Sequence, residues 1–180
     1  MEKIETGIAG CFELQPRIFE DHRGRLVKTY HEPTYKDLGL DTNFTEGYYS
    51  VSAKGVLRGL HFQTPPHELV KCVTVLHGKV FDAVVDIRKG SPTYGKSFGI
   101  ELSAEKGNML YVPAGLAHGF YSMTEQAVFL YRTTEIYQPD SDGAIRWDSC
   151  GIEWPDMNPL VSEKDTNAPT FEEYETPFVF

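Results

Sequence analysis

Gly55-Val-Leu-Arg58-Gly-Leu-His61-Phe-Gln63 reads as a buried strand into which a cation and an imidazole have been placed. Successive side chains of a strand point to opposite faces, so regular alternation puts Arg58, Leu60 and Phe62 on one face and Gly59, His61 and Gln63 on the other. The face with His61 and Gln63 is expected to look into a pocket. Taken alone, the better reading of such a histidine is a hydrogen-bonded core residue, with the arginine paired at the surface. Around this stretch the chain is strand after strand: Phe44 to Ser52, Val56 to Phe62, Val70 to Leu76, Val80 to Ile87, Phe98 to Leu102, Met109 to Val112, Gly119 to Ser122 and Ala127 to Tyr131. Short strands at this spacing predict an all-β sandwich or barrel.

Before Phe44, Gly10 to Leu14 and Gly24 to Tyr30 are strand candidates, with Asp21-His22-Arg23-Gly24 a turn between extended segments. The segment Glu32 to Leu38, with Pro33 in its first turn and Gly39 beyond its last leucine, predicts one short helix, the longest in the chain. His77-Gly78 is expected to turn between the two most apolar strands and pair them antiparallel, with Lys89-Gly90-Ser91-Pro92 and Glu105-Lys106-Gly107 punctuating the later strands. No glycine-rich phosphate loop follows a strand and opens a helix, so neither a dinucleotide site nor a redox cofactor is implied.

The length of 180 residues and 41% apolar content suit a single domain over residues 1–180, without repeats or linkers. A formal charge of −9 speaks against nucleic acid or an anionic membrane as partner, while leaving room for a local basic pocket. Cys11, Cys72 and Cys150 are too few and too scattered for a disulfide scaffold or a zinc ribbon and read as inert thiols in a reducing compartment. The first residues lack a basic and apolar leader, and no apolar run reaches membrane-spanning length, so the expectation is a cytoplasmic protein.

Gly107-x5-Pro113-x-Gly115-x2-His118 resembles the second motif of the cupin jelly-roll superfamily, and Gly55-x5-His61-x-Gln63 the first, with glutamine where a metal cupin has its second histidine. His61, His118 and Glu68 make a poor ligand set for zinc, iron or manganese, so no metal is expected and a metal-dependent cupin is the lesser reading. Further motifs carry a closer match. They are Asp21-x-Arg23-Gly24, Lys54 to Gln63, Phe81-Asp-x-x-Val-Asp-Ile-Arg88, Ser91-Pro-Thr-x-Gly95, Val112-Pro-x-Gly-x-Ala-His-Gly-Phe120, Leu130-Tyr131, Tyr137-x-Pro139 and Ser162-Glu-Lys-Asp165. From about Ile4 to Pro169 the chain resembles the nucleotide-sugar 3,5-epimerases, the dTDP-4-dehydrorhamnose 3,5-epimerase family. That resemblance implies a cupin-type double-stranded β-helix (jelly roll) with a few short helices. It also implies a homodimer acting on an NDP-4-keto-6-deoxyhexose of deoxysugar biosynthesis with no metal or organic cofactor.

Such chemistry needs a base for the proton beside the ketone, a cation for the enolate, and an acid on the opposite face of the ring. By resemblance His61 is the base, Asp165 orients it, Lys71 is the cation near the keto oxygen, and Tyr131 is the proton donor. Without the resemblance, Asp165 reads as a solvated acid, Tyr131 as a core aromatic and Lys71 as a surface lysine. Arg58, Arg23 and His118 match ligands of the nucleotide diphosphate and sugar, Tyr137 the aromatic that stacks on the nucleobase, and Lys164 a contact at the edge of the site; Gln63 belongs to the same candidate set.

The departures fall among the nucleotide contacts. Lys28 stands where the family has glutamate, Glu46-Gly47-Tyr48 where it has Gln-x-Asn, and Asp142 where it has glutamate. Reversed or added charge at these positions is expected to change which base or sugar is recognised. A single-centre epimerase, a keto-isomerase on another nucleotide sugar and a non-catalytic sugar-binding cupin remain as other readings. By analogy, Arg23 and Lys28 would serve the second subunit's pocket.

Overall fold

A computed structural model describes residues 1–180, in which two antiparallel sheets face one another across an apolar core. The six-stranded sheet runs in the order β1 (Glu2–Glu5), β2 (Phe12–Gln15), β10 (Met109–Val112), β7 (Lys71–His77), β12 (Gln126–Thr133) and β5 (Glu46–Ala53). The five-stranded sheet runs β13 (Asp142–Ala144), β6 (Leu57–Gln63), β11 (Leu116–Ser122), β8 (Lys79–Asp86) and β9 (Ser97–Ser103). A separate hairpin pairs β3 (Ile18–Asp21) with β4 (Gly24–Val27) around the expected turn. The two helices are short, α1 (Glu32–Asp37) with Pro33 in its first turn and α2 (Glu163–Thr166). The architecture is the expected all-β jelly roll. No helix is long and apolar enough to cross a membrane.

Strand periodicity explains the layers. Val73 and Val75 of β7, Ala127 and Phe129 of β12, Val80 and Val84 of β8 and Phe120 of β11 alternate inward and meet between the sheets. The opposite faces are also covered. Ala83, Val85, Ala117 and Tyr121 pack outward against Ile145, Trp154 and Phe178 of the C-terminal segment. Cys72, Met109 and Tyr111 pack outward under Leu40 and the fully buried Tyr35 of α1. Double coverage is why β8 and β11 read as apolar runs rather than alternating strands. The cysteines are unpaired, and burial pushes the Cys11 thiol up to about 12 and Cys72 to about 11.

Two expectations are corrected. His77-Gly78 does turn the chain, but β7 pairs with β10 and β12 while β8 pairs with β11 and β9, so the turn crosses between sheets instead of closing a hairpin. Alternation along β6 also fails. His61 lies opposite His118 but Arg58 lies opposite Phe120, so β6 carries one residue more than β11 over the same interval. This bulge falls at Gly59, whose φ is +139°. Leu57, Leu60 and Phe62 therefore share the outer apolar cluster, and Arg58 joins His61 and Gln63 on the wall of an interior cavity.

A Cβ added at Gly59 would sit 2.5 Å from the Gly119 Cα in a backbone conformation that L side chains disfavour. Gly59→Ala is expected to lower the unfolding free energy by about 3 kcal/mol, from backbone strain and overpacking together. Denaturant unfolding measures this, and a change below about 0.5 kcal/mol would refute the close approach of β6 and β11.

Candidate active site

The sandwich interior changes from apolar to polar along its own strands. β7 carries Val75 and Val73 and then Lys71; β12 carries Ala127 and Phe129 and then Tyr131. At this polar end a cavity of about 520 Å³ opens, in the range of small-molecule sites, with His61 contributed by the five-stranded sheet and Tyr131 by the six-stranded one.

His61 Nε2 lies 2.5 Å from Oδ1 of Asp165, which is 2% exposed. Asp165 stands on α2, where the Ser162 hydroxyl caps the helix by accepting the Asp165 N–H at 3.1 Å, and its Oδ2 accepts the Gly59 N–H at 3.4 Å. Burial pushes the carboxyl pKa up, but the hydrogen bond and charge of His61 and the Gly59 N–H outweigh it, so Asp165 is held below its ordinary 3.8. An ionised Asp165 accepts from Nε2, which leaves Nδ1 of His61 for chemistry.

Lys71 is not the surface lysine that its strand position alone suggests. It is 8% exposed and reaches across the interior to donate from Nζ to the His61 carbonyl at 3.0 Å. Burial lowers its pKa to about 8, against the opposing pull of Asp82 and Asp142. His118 is also buried, its Nε2 lying 3.0 and 3.1 Å from the carboxylate oxygens of the fully buried Asp82. Burial pushes His118 down and Asp82 up. Asp82 stands in the Phe81-Asp motif, which by itself gives it no role; its inward position on β8 beside Val80 and Val84 is the signal that finds it.

Tyr131 lines the same cavity as His61, and burial pushes its phenol far up. Its ring stacks on Tyr48 at 4.6 Å and 17°, and meets Phe129 edge-on at 4.8 Å and His118 at 6.4 Å. Ser50, also in the wall, carries a buried Oγ without a hydrogen-bond partner, and nothing in the sequence singles it out. At the rim, Asp142 Oδ2 accepts from the Tyr137 hydroxyl at 3.1 Å and from Lys164 Nζ at 2.5 Å, while Glu46 Oε2 accepts the Tyr137 N–H at 3.1 Å. Arg58, an exposed residue, donates from Nε to Ser52 Oγ at 3.0 Å and from Nη2 to the Val51 carbonyl at 3.4 Å.

The remaining candidates divide. Gln63 lines the cavity, yet its amide N–H groups go to the carbonyls of His67 and Ile136 and its oxygen accepts the Gln138 N–H, so it shapes the wall rather than presenting a free group. Gly47 sits between Glu46 and Tyr48 on β5 but outside the wall. Arg23 and Lys28 are exposed on and after the β3–β4 hairpin, Arg23 bound to Asp21, and neither reaches this chain's cavity. No group of three or more His, Cys, Asp or Glu side chains is close enough together to hold a metal ion.

A family model described as dTDP-4-dehydrorhamnose 3,5-epimerase matches residues 5–173. The chain is 41% identical over 174 residues to the dTDP-4-dehydrorhamnose 3,5-epimerase of Shigella flexneri, covering 95% of this chain and 96% of that protein. It superposes on the dTDP-6-deoxy-D-glucose-3,5-epimerase of Legionella pneumophila, solved in complex with dTDP-4-keto-L-rhamnose, with a TM-score of 0.95, 36% identity and coverage of 99% and 98% of the two chains. A 3'-monoepimerase from Streptomyces bikiniensis in complex with dTDP-quinovose is similar at a TM-score of 0.89 and 33% identity, over 94% of this chain and 88% of that one.

The depressed pKa of Lys71 has a stability consequence. The unfolded chain holds this proton to about 10.5 and the folded chain only to about 8, so stability rises with pH across that window. Below it the folded state carries the full cost of the buried ammonium, about 3 kcal/mol at 1.36 kcal/mol per pH unit. Lys71→Met forfeits one hydrogen bond of about 1 kcal/mol, so at pH 7 it is expected to be more stable than wild type by about 2 kcal/mol. Denaturant unfolding at pH 7 and 9.5 should show that gain shrink at the higher pH; a destabilised variant at both would refute a strained ammonium.

Proposed function

The chain belongs to the dTDP-4-dehydrorhamnose 3,5-epimerase family, and on that premise we propose how its cavity inverts a nucleotide-linked 4-keto-6-deoxyhexose. His61, held by Asp165, removes the proton beside the ketone through Nδ1. Lys71 stabilises the enolate that forms on the carbonyl oxygen, and Tyr131 delivers a proton from the other face of the ring. The observation that carries this reading is that His61, bonded to the buried Asp165, and Tyr131 line one cavity from opposite sheets. A base and an acid on facing walls suit inversion, whereas a base alone would only exchange the proton and return it.

The polar rim supports a nucleotide-diphosphate handle. The Arg58 guanidinium suits phosphate oxygens, His118 lies deeper toward the sugar, and Tyr137, steadied by Asp142 and Lys164, offers a flat face to the nucleobase. Glu46 is committed to the Tyr137 backbone, so its added charge acts on the position of that aromatic. Arg23 and Lys28 fit a homodimer in which each hairpin serves the second copy, and the exposed Phe19 and Leu26 on that hairpin favour such pairing. Free cysteines fit a reducing cytoplasm.

Incubating the enzyme with 4-keto-6-deoxyhexoses linked to thymidine, cytidine, uridine or guanosine diphosphate in deuterated water should place deuterium beside the ketone. Label at C3 alone, at C5 alone or at both distinguishes the single-centre from the double epimerase, a distinction favoured by the likeness to a 3'-monoepimerase. His61→Ala should abolish incorporation. No incorporation by wild type with any of the four substrates would reject the reading. Because only the protonated Lys71 stabilises an enolate, kcat should fall as pH rises through about 8, and Lys71→Met should lose about 10²- to 10³-fold in kcat, the loss typical of one electrostatic stabiliser.

A further inference from the structure

Tyr131 is held differently from the other groups of the site. His61 is fixed by a carboxylate and Lys71 by a carbonyl, whereas Tyr131 is fixed by ring packing. Two of its ring neighbours, Phe129 and His118, belong to the buried interior. The third, Tyr48, stands directly opposite Tyr131 in the antiparallel register of β12 and β5, on the cavity side of the edge strand, and is 44% exposed. The two rings lie nearly parallel at 4.6 Å, a stacked geometry that favours the Tyr131 rotamer making it. The opposite sheet meets the Tyr131 ring through His118, the register partner of His61, but His61, Asp165 and α2 take no part in the Tyr48–Tyr131 stack.

We propose that Tyr48 is a positioning residue for the proton donor: its ring clamps the Tyr131 phenol at the cavity so that delivery from Tyr131 outruns return of the proton from His61. This rests on the roles proposed above for His61 and Tyr131. Once His61 has taken the carbon-bound proton, the enolate has two fates. It can regain hydrogen from His61, now exchanged with solvent, which labels the carbon without inverting it. Alternatively it takes the Tyr131 O–H proton, which forms the new C–H bond on the other face and leaves a phenolate that solvent reprotonates. Loosening Tyr131 slows only the second fate, because proton removal occurs on the other wall.

The test is the ratio of deuterium exchange without inversion to inversion, followed by NMR in deuterated water for wild type, Tyr48→Ala and Tyr48→Phe on whichever substrate wild type turns over. Tyr48→Ala is expected to raise that ratio at least fivefold while still exchanging the substrate proton, and Tyr48→Phe, which keeps the ring, to restore the wild-type ratio. An unchanged ratio in Tyr48→Ala overturns the proposal, as does a Tyr48→Phe ratio as high as that of Tyr48→Ala, which would assign the effect to the hydroxyl. A Tyr48→Ala protein that is folded by circular dichroism but exchanges nothing also overturns it. Absence of exchange in wild type strikes the His61 assignment instead, so the two failures are told apart.

Discussion

The polar groups buried at one end of this sandwich have chiefly one another to pair with. An ion removed from water costs several kcal/mol unless its lone pairs and protons are met, and here the partners come from across the interior: one Lys71 N–H meets the His61 carbonyl, which offsets only part of its cost, the His61 ring meets Asp165, and His118 meets Asp82. Each partner lies on a different strand or helix from the group it serves. Displacing any one element would therefore orphan a buried charge, and the apolar half of the same strands supplies the packing that prevents this.

The base and its orienting carboxylate are far apart in sequence and close in structure for a traceable reason. The outer face of the five-stranded sheet must be covered, and Ile145, Trp154 and Phe178 cover it. That leads the chain back along β6, where Leu57 N–H bonds the Leu160 carbonyl and Leu160 N–H bonds the Gly55 carbonyl. Ser162 then caps α2, and Asp165 in its first turn meets both the His61 ring and the Gly59 N–H. The tail so explained as outer packing is also what delivers the carboxylate.

Strand content was legible because period-two and continuous apolar runs are local: Met109–Val112 has the expected bounds, and most others shift by one or two residues. The short polar strands Glu2–Glu5 and Asp142–Ala144 carry no such run and had no expectation, and the strand expected over Gly24 to Tyr30 stops at Val27; the other failures were non-local. Alternation could not see the bulge at Gly59, which is set by the close approach of Gly119 and moves Arg58 to the cavity wall. Nor could a turn motif say that His77-Gly78 links strands of opposite sheets. Asp165 and Tyr131 stood out only through resemblance, since an acid in a polar tail and an aromatic on a strand carry no local mark of chemistry. Ser50 and the Tyr48–Tyr131 stack needed coordinates, because cross-strand register decides which side chains touch.

The two proton transfers answer to different physics. Removal of the proton depends on charge: a carboxylate beside His61 kept ionised by the hydrogen bonds it accepts, and, reaching across from the facing sheet, the Lys71 ammonium kept near the edge of ionisation by burial. Tyr131 is held by aromatic faces, and burial, outweighing the smaller and opposed pulls of Asp82 and Arg58, keeps the phenol protonated. A phenol that must remain neutral until the enolate calls for its proton is better held by packing than by a charged partner, because a nearby cation would draw the proton off early and a carboxylate would compete for it. Removal of the proton is thus an electrostatic problem in this fold and its replacement a geometric one, which is why the proton donor itself is flanked by rings.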